Sequence, residues 1–483
     1  MENIYLSKQI TLILTLIVGA FFIALGYLNS KKISDKKNYI IGNRNENIFS
    51  LTTSLSASAL GAWILFGPAS AATWGGIGAV IGYALGTAAP MLFLLNFGPK
   101  IRKEFPMGMS LTELVKRRFG NRILKMILIL ILFYLTIFLI AEVTAIAFLL
   151  NLISKIPLWI TAGLTLIICL LYILRGGFKL SIITDKYQFV IILVIILFSI
   201  FYILGNLEIS SYEIIKKNFP KSLSKNYIPN YTAGLTFFIA VATTNLFHQG
   251  NWQRVFAAKN NIILKKSLIY SSIVSFLIVL WMGYIGLISF SINPKTNPDL
   301  AFFSLMMSNG NTLIIVSILI LALALTLSTI DTLINAISSL IIINGKELNK
   351  FLSGKEIKVK TNKIILLLCI LVFIIASKGY SILYLFLFAD LLCCAAVVTI
   401  FYSFFKKKIN IQISSVSIIL GLISGLLFFP SQNFKSSLLV GNIVPLEKFN
   451  LIISSNLLFI SFIAALIVPL IIISFYSLRN SFK

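Results

Sequence analysis

The sequence predicts an all-α polytopic membrane protein. Of its 483 residues, 58% are hydrophobic and only 12% are charged, and the mean hydropathy is +0.97. A soluble domain is about half apolar and about a quarter charged. Apolar runs of membrane-crossing length recur from end to end. Together these exclude an ordinary globular enzyme, a disordered chain and a fibrous repeat. The 41 Lys and Arg against 15 Asp and Glu give a net charge of +26. That excess sits in short loops between apolar runs, so it marks the cytoplasmic side of a membrane rather than a nucleic-acid surface.

About 20 residues at a rise of ~1.5 Å cross the hydrocarbon core. On that measure about 13 transmembrane helices are expected, at 9–28, 48–74, 76–97, 123–150, 157–174, 182–205, 232–251, 264–290, 311–343, 364–377, 380–405, 413–430 and 451–477. The run at 364–377 is short, and 311–343 is long enough to protrude. The first run, from Gln9 to Leu28, has no small-residue cleavage site after it and is kept as a helix rather than a signal peptide. With the N-terminus outside and the C-terminus cytoplasmic, 31 of the 41 basic residues fall in inner loops. The expected setting is therefore a multi-pass protein of the cell (inner or plasma) membrane. The polar connections are short, so residues 1–483 read as a single transmembrane domain. Cys169, Cys369, Cys393 and Cys394 lie in apolar runs and suggest neither a disulfide framework nor a metal set.

Four segments break the rule that a span should be apolar and helical. The second span, SLSASALGAWILFGPASAATWGG from Ser54, is rich in Ser, Ala and Gly and contains Gly67-Pro68. It reads either as a close-packing helix with a proline kink or as an unwound segment that offers carbonyls to a cavity. The seventh span loses hydrophobicity in TTNLFHQGNWQR, which holds the single histidine, His248. Either it is broken there or it ends near Leu246 and gives way to a loop. The second and seventh spans are separated by four others, as a five-plus-five inverted repeat requires.

The ninth span carries ALALTLSTIDTLINAISS. Ser328, Asp331, Thr332 and Asn335 fall on one helical face. An Asp in the bilayer costs about 2.5–3.5 kcal/mol on insertion scales and needs a partner. Clustered hydroxyl and carboxylate oxygens suit a hard cation; the face either hydrogen-bonds to neighbouring helices or binds an ion, and the added Asp favours the ion. In the fourth segment, after Arg175-Gly176-Gly177, Asp185 reads either as an acid at the start of a helix, favoured by the dipole, or as a carboxylate on a transport pathway, the first being preferred. Glu142 and Asp390 are further acids within spans.

These segments together resemble the sodium/solute symporter family, which includes the sodium/proline symporters. The carriers are GGFKLSIITDKYQ at 176–188, WQRVFAA at 252–258, LSTIDTLINAISS at 327–339 and SLSASALGAW at 54–63, in family order over about residues 38–405. The resemblance implies a LeuT-like five-plus-five inverted repeat at 38–405. One extra N-terminal helix (1–37) and extra C-terminal helices (406–483) flank it. It implies a main sodium site from carbonyls of Ala57, Leu60 and Leu325 with the hydroxyls of Ser328 and Thr329. A second sodium site or ion pathway would use Asp185, Asp331 and Thr332 together with Ser328. Relatives carry Asp or Asn where this chain has Ala59.

The expected function is sodium-coupled import of a small organic solute, best an amino acid such as proline, bound near Trp63, Phe247, His248 and Gln249. Sodium is the coupling ion and no other cofactor is expected. The partners are solute, sodium and the lipid bilayer, not nucleic acid, and the protein is expected to work as a monomer. A membrane enzyme is not expected, since the chain has one His, no metal-spaced cluster and no nucleophile motif. No P-loop is present to use ATP. Proton coupling through Asp331 and Asp185 is the alternative, followed by a transporter-like sensor. Against the sensor, the sequence ends soon after Tyr476 with no signalling module.

Overall fold

A computed structural model describes residues 5–29, 36–308, 310–348, 357–405, 410–432, 434, 436–439 and 456–481. Within them the chain is helical, with only two isolated β-bridges. The helices are α1 (Lys8–Asn29), α2 (Lys36–Ile41), α3 (Ile48–Ala59), α4 (Gly67–Glu104), α5 (Leu111–Ser154), α6 (Leu158–Gly205), α7 (Ser211–Asn218), α8 (Ile228–Phe247), α9 (Gln249–Ala257), α10 (Asn261–Ile292), α11 (Ala301–Met306), α12 (Thr312–Leu348), α13 (Ile357–Ala376), α14 (Ile382–Tyr402), α15 (Ile411–Phe428) and α16 (Leu457–Ser481). Ten of these stretches are long and apolar enough to cross a membrane.

Glycines divide the longest helices. Gly76, Gly120 and Gly177 adopt positive φ within α4, α5 and α6. Side chains other than glycine rarely reach that region. At Gly177 (φ +54) the turn also brings the Tyr39 carbonyl within 2.6 Å of where a Cβ would stand. So α6 is two spans, one before and one after Gly177. With these divisions, every span expected from the sequence coincides with helix within the described residues. The short run at 364–377 lengthens to 20 residues in α13 by recruiting Ile357–Lys363. Residues 451–455 of the last expected span lie outside the described residues.

Burial separates centre from periphery. In α12 and α14, 78% of the most apolar window is buried, against 28% in α1. The inner helices are thus covered on nearly every side, and the outer ones show lipid a row of Ile, Leu and Phe. Helix α4 lies along both α8 and α10, while α12 touches α3, α5, α6 and α9. Small residues set the closest approach. A Cβ on Gly82 would collide with the Gly234 carbonyl, and one on Gly286 with the Ala69 carbonyl. Backbone cannot yield as a side chain can, so overpacking here costs stability. Gly82→Ala is expected to destabilise the protein by about 1–3 kcal/mol, read as a lower thermal midpoint in detergent. Leu85→Ala, on the exposed face of the same helix, is expected to leave the midpoint nearly unchanged.

Candidate functional site: a broken helix, a cavity and a buried charge cluster

The second span is interrupted. Helix α3 ends at Ala59, Leu60 leaves helical geometry (φ −106°, ψ 86°), and a 3-10 turn at Ala62–Leu65 precedes α4. Pro68 stands in the first turn of α4. It lacks an N–H, and that position does not need one. The break frees backbone groups that lipid cannot satisfy. Leu60 N–H turns back to the Ser56 and Ala57 carbonyls at 3.1 and 3.3 Å. Ala62 N–H donates to Glu142 Oε2 at 2.8 Å. Glu142, on α5, is wholly buried. Of the two sequence readings, the unwound segment is the one found.

A cavity opens beside the break. Trp63, Tyr83, Phe138 and Phe386 form aromatic walls, and Ser58, Ala59, Asn245, His248, Thr329 and Asp390 add small and polar groups. Trp63 stacks on Tyr83 (5.5 Å between centroids), which stacks on Phe237 (4.4 Å). Asp390 is 5% exposed. Its Oδ1 has no hydrogen-bond partner. A buried carboxylate oxygen facing aromatic walls suits a protonated amine, through charge and cation–π attraction.

The seventh span ends at Phe247, and the polar run forms α9 rather than a loop. All of α9 is buried. His248, at the junction, faces the cavity, and its Nδ1 has no partner. Phe247 and Gln249 do not reach the cavity. Phe247 packs edge-on against Phe401 at 5.5 Å. Gln249 Nε2 donates to the Met109 carbonyl at 3.0 Å. Of the four solute residues expected from the sequence, Trp63 and His248 meet there, and Asp390 and Tyr83 join them.

A charge cluster lies where α3, α6, α9 and α12 meet. Asp185 sits about two turns beyond the Gly177 break and is fully buried. That corrects its reading as an acid at a helix start. Its Oδ2 accepts from Ser54 Oγ at 2.5 Å and from Arg254 Nη2 at 2.9 Å, and its Oδ1 from Ser328 Oγ at 2.6 Å. Arg254 also donates to Ser54 Oγ (2.8 Å), the Gly250 carbonyl (3.0 Å) and Thr332 Oγ1 (3.2 Å). Arg254 is therefore not an inner-loop charge but a buried partner of Asp185. Asp331 accepts from Ser181 Oγ at 2.7 Å, Tyr172 OH at 2.9 Å and Thr184 Oγ1 at 3.2 Å. Among the described residues no cationic side chain forms an ion pair with Asp331. The second ion set expected from the sequence (Asp185, Asp331, Thr332 and Ser328) thus comes together around an arginine.

The expected main sodium set is placed differently. Ala57 and Leu60 lie at the break, and Leu325, Ser328 and Thr329 lie on α12, which packs against α3 and the 3-10 turn. The two hydroxyls diverge. Ser328 faces Asp185, whereas Thr329 Oγ1 donates to the Leu325 carbonyl at 3.1 Å and borders Gly61 and the cavity. Tyr172, Ser54 and Arg254 were not singled out in the sequence. The only signal for them was that a buried Asp must find partners.

The model of the sodium:solute symporter family matches residues 39–421. The chain belongs to the sodium:solute symporter family. A spermidine transporter of Candida albicans is 24% identical over 433 residues, covering 87% of this chain and 81% of its own. Among solved structures, a sodium-coupled sialic acid symporter in a substrate-bound outward-open state aligns with a TM-score of 0.73 at 18% identity, over 96% of this chain and 97% of that one. A nucleobase-cation-symport-1 family transporter in a closed conformation aligns at 0.53 and 15% identity, over 90% and 94%. These likenesses establish the LeuT fold. For a family member on that fold, the broken second span, the cavity and the α12 oxygens lie together at the centre of the bundle.

Within this symporter, removing one member of a buried ion pair strands the other. Arg254→Gln is expected to cost about 3–5 kcal/mol. The double variant Asp185→Asn/Arg254→Gln should recover part of that loss. A double-mutant cycle on thermal unfolding checks it. Strict additivity of the two single losses would mean that the pair contributes no coupling.

Proposed function

We propose that this protein is a sodium-coupled symporter that imports a small organic solute bearing a protonated amine. The observation that carries the solute class is the partnerless oxygen of Asp390 in an aromatic-walled cavity beside the helix break. An amino acid such as proline meets that requirement through its ammonium, and a polyamine meets it more fully. The relative named as a spermidine transporter favours the second. Trp63 and Tyr83 would stack on the solute's carbons, and His248 and Asn245 would hold its polar end.

In the alternating-access cycle proposed here, sodium enters from outside and bridges the Ala57 and Leu60 carbonyls on the second span to Leu325 and Thr329 on α12. That favours the state that accepts solute. Ser328 would join once its hydroxyl leaves Asp185, and Asp185 then helps the ion depart inward. The protein would sit in the cell membrane with its N-terminus outside and its C-terminus cytoplasmic. One inward charge gains about 2.3 kcal/mol per ~100 mV. At about 1.4 kcal/mol per decade this sustains roughly a 50-fold solute gradient.

Proton coupling remains a second reading, favoured by one observation: the Asp331 carboxylate is held by four hydroxyls, and among the described residues by no ion pair.

Uptake into proteoliposomes tests both. Replacing sodium with choline is expected to abolish amine uptake, whereas uptake that persists under a pH gradient alone would support protons. Asp390→Asn is expected to raise KM for amine solutes about tenfold or more while half-saturating sodium stays in place. Thr329→Ala is expected to do the reverse, raising half-saturating sodium more than KM.

A further inference from the structure

The cavity that borders Trp63 and Asp390 is small. It encloses about 40 Å³, room for a few waters and not for an organic amine. A second cavity, of about 530 Å³, has the size of a small-molecule site. Trp74, Asn297, Asp299, Ser381 and Gln432 border it. The two cavities have no lining residue in common, yet they follow one another along the same two walls. On α14, Asp390 borders the smaller and Leu383 the larger, two turns or about 10 Å apart along the helix. On the second span, Trp63 borders the smaller, and Ser70 and Trp74 border the larger. In the orientation proposed above, the larger cavity lies toward the outside.

Asp299 is the one charged side chain on the lining of the larger cavity among the described residues; Lys295 and Lys378, in neighbouring loops, do not border it. Ser70 Oγ donates to Asp299 Oδ1 at 2.9 Å, which ties α4 to the loop before α11. Among the described residues Asp299 has no ion pair. A half-buried carboxylate thus borders a room that holds no cationic side chain. Trp74 is 39% exposed. A tryptophan at the end of a span is ordinarily an anchor in the headgroup layer, but this one shares a cavity with an acid. The ring favours an organic ammonium over a metal ion, which would draw on oxygens alone.

We infer that the cavity around Asp299 is an outer binding station for the amine solute, where an ammonium rests on Asp299 and the Trp74 ring before the central cavity opens to it. The inference rests on the amine reading above and adds a second acid to it. A solute with several ammonium groups meets a carboxylate at each station. The charge of Asp299 also raises the solute's concentration at the mouth of the pathway.

Equilibrium binding of radiolabelled spermidine, a linear triamine, to the purified full-length protein in nanodiscs is the readout. The parent is expected to bind at two sites in sodium and to keep one of them in choline, because the Asp299 cavity includes none of the proposed sodium ligands. Asp299→Asn keeps an oxygen for Ser70 and loses only the charge. It is expected to weaken the sodium-independent site about tenfold or more and to leave the other in place. Trp74→Leu is expected to weaken the same site several-fold, which gives a second reading should Asp299→Asn fail to fold. Asp390→Asn is expected to weaken the sodium-dependent site alone. Ile129→Ala, on the lipid-exposed face of α5, serves as the control and should leave both unaltered. If Asp299→Asn and Trp74→Leu bind like the parent while Asp390→Asn does not, the inference is overturned: the outer cavity is then a water-filled vestibule, and the amine reading stands. If the parent protein binds no spermidine in either salt, both the inference and the amine reading fall.

Discussion

A helix broken inside a bilayer must find partners for the backbone groups it frees, and the fold of this protein answers that constraint at Leu60–Gly61. Water is not present in hydrocarbon to satisfy an open N–H. Glu142 on α5 supplies the acceptor for Ala62. Three features depend on this one contact. It fixes the angle at which the 3-10 turn and α4 leave α3. It places Trp63 on the wall of the central cavity. It also seats an acid against Gly61, where a Cβ would stand.

The buried charges fall into two groups with different tasks. Asp185 and Arg254 neutralise each other and bind α3, α6, α9 and α12 through Ser54, Ser328 and Thr332. Such a pair, well supplied with hydrogen bonds, specifies how the helices meet more than it adds net stability. Among the described residues, Glu142, Asp331 and Asp390 form no ion pair with a cationic side chain. Each faces oxygens, hydroxyls or aromatic rings instead. Of the three, Asp390 lines the central cavity.

The architecture was legible in the sequence because hydropathy and loop charge report directly on the bilayer. The four polar interruptions were legible for the same reason, since polar groups in a span are costly enough to mark function. What could not be read was which partner each buried group finds. Arg254 looked like a loop charge because α9 is polar, yet α9 is wholly buried. Asp185 looked like a charge at a helix start because the Gly177 break had no sequence signature beyond a pair of glycines. Glu142 was visible as an acid in a span. Its partners are backbone N–H groups of a distant segment, and no side chain announces them. Ala59 lines the cavity, and Asp390 brings a carboxylate to it from α14.

The central claim is that the break in the second span is where sodium acts. Amide hydrogen exchange over residues 54–66, compared in sodium and in choline on the full-length protein in nanodiscs, tests it most directly. The account predicts that sodium slows exchange in this segment, because the ion ties its loose carbonyls to α12. Exchange over 54–66 that is the same in both salts, with the protein otherwise folded, would contradict it.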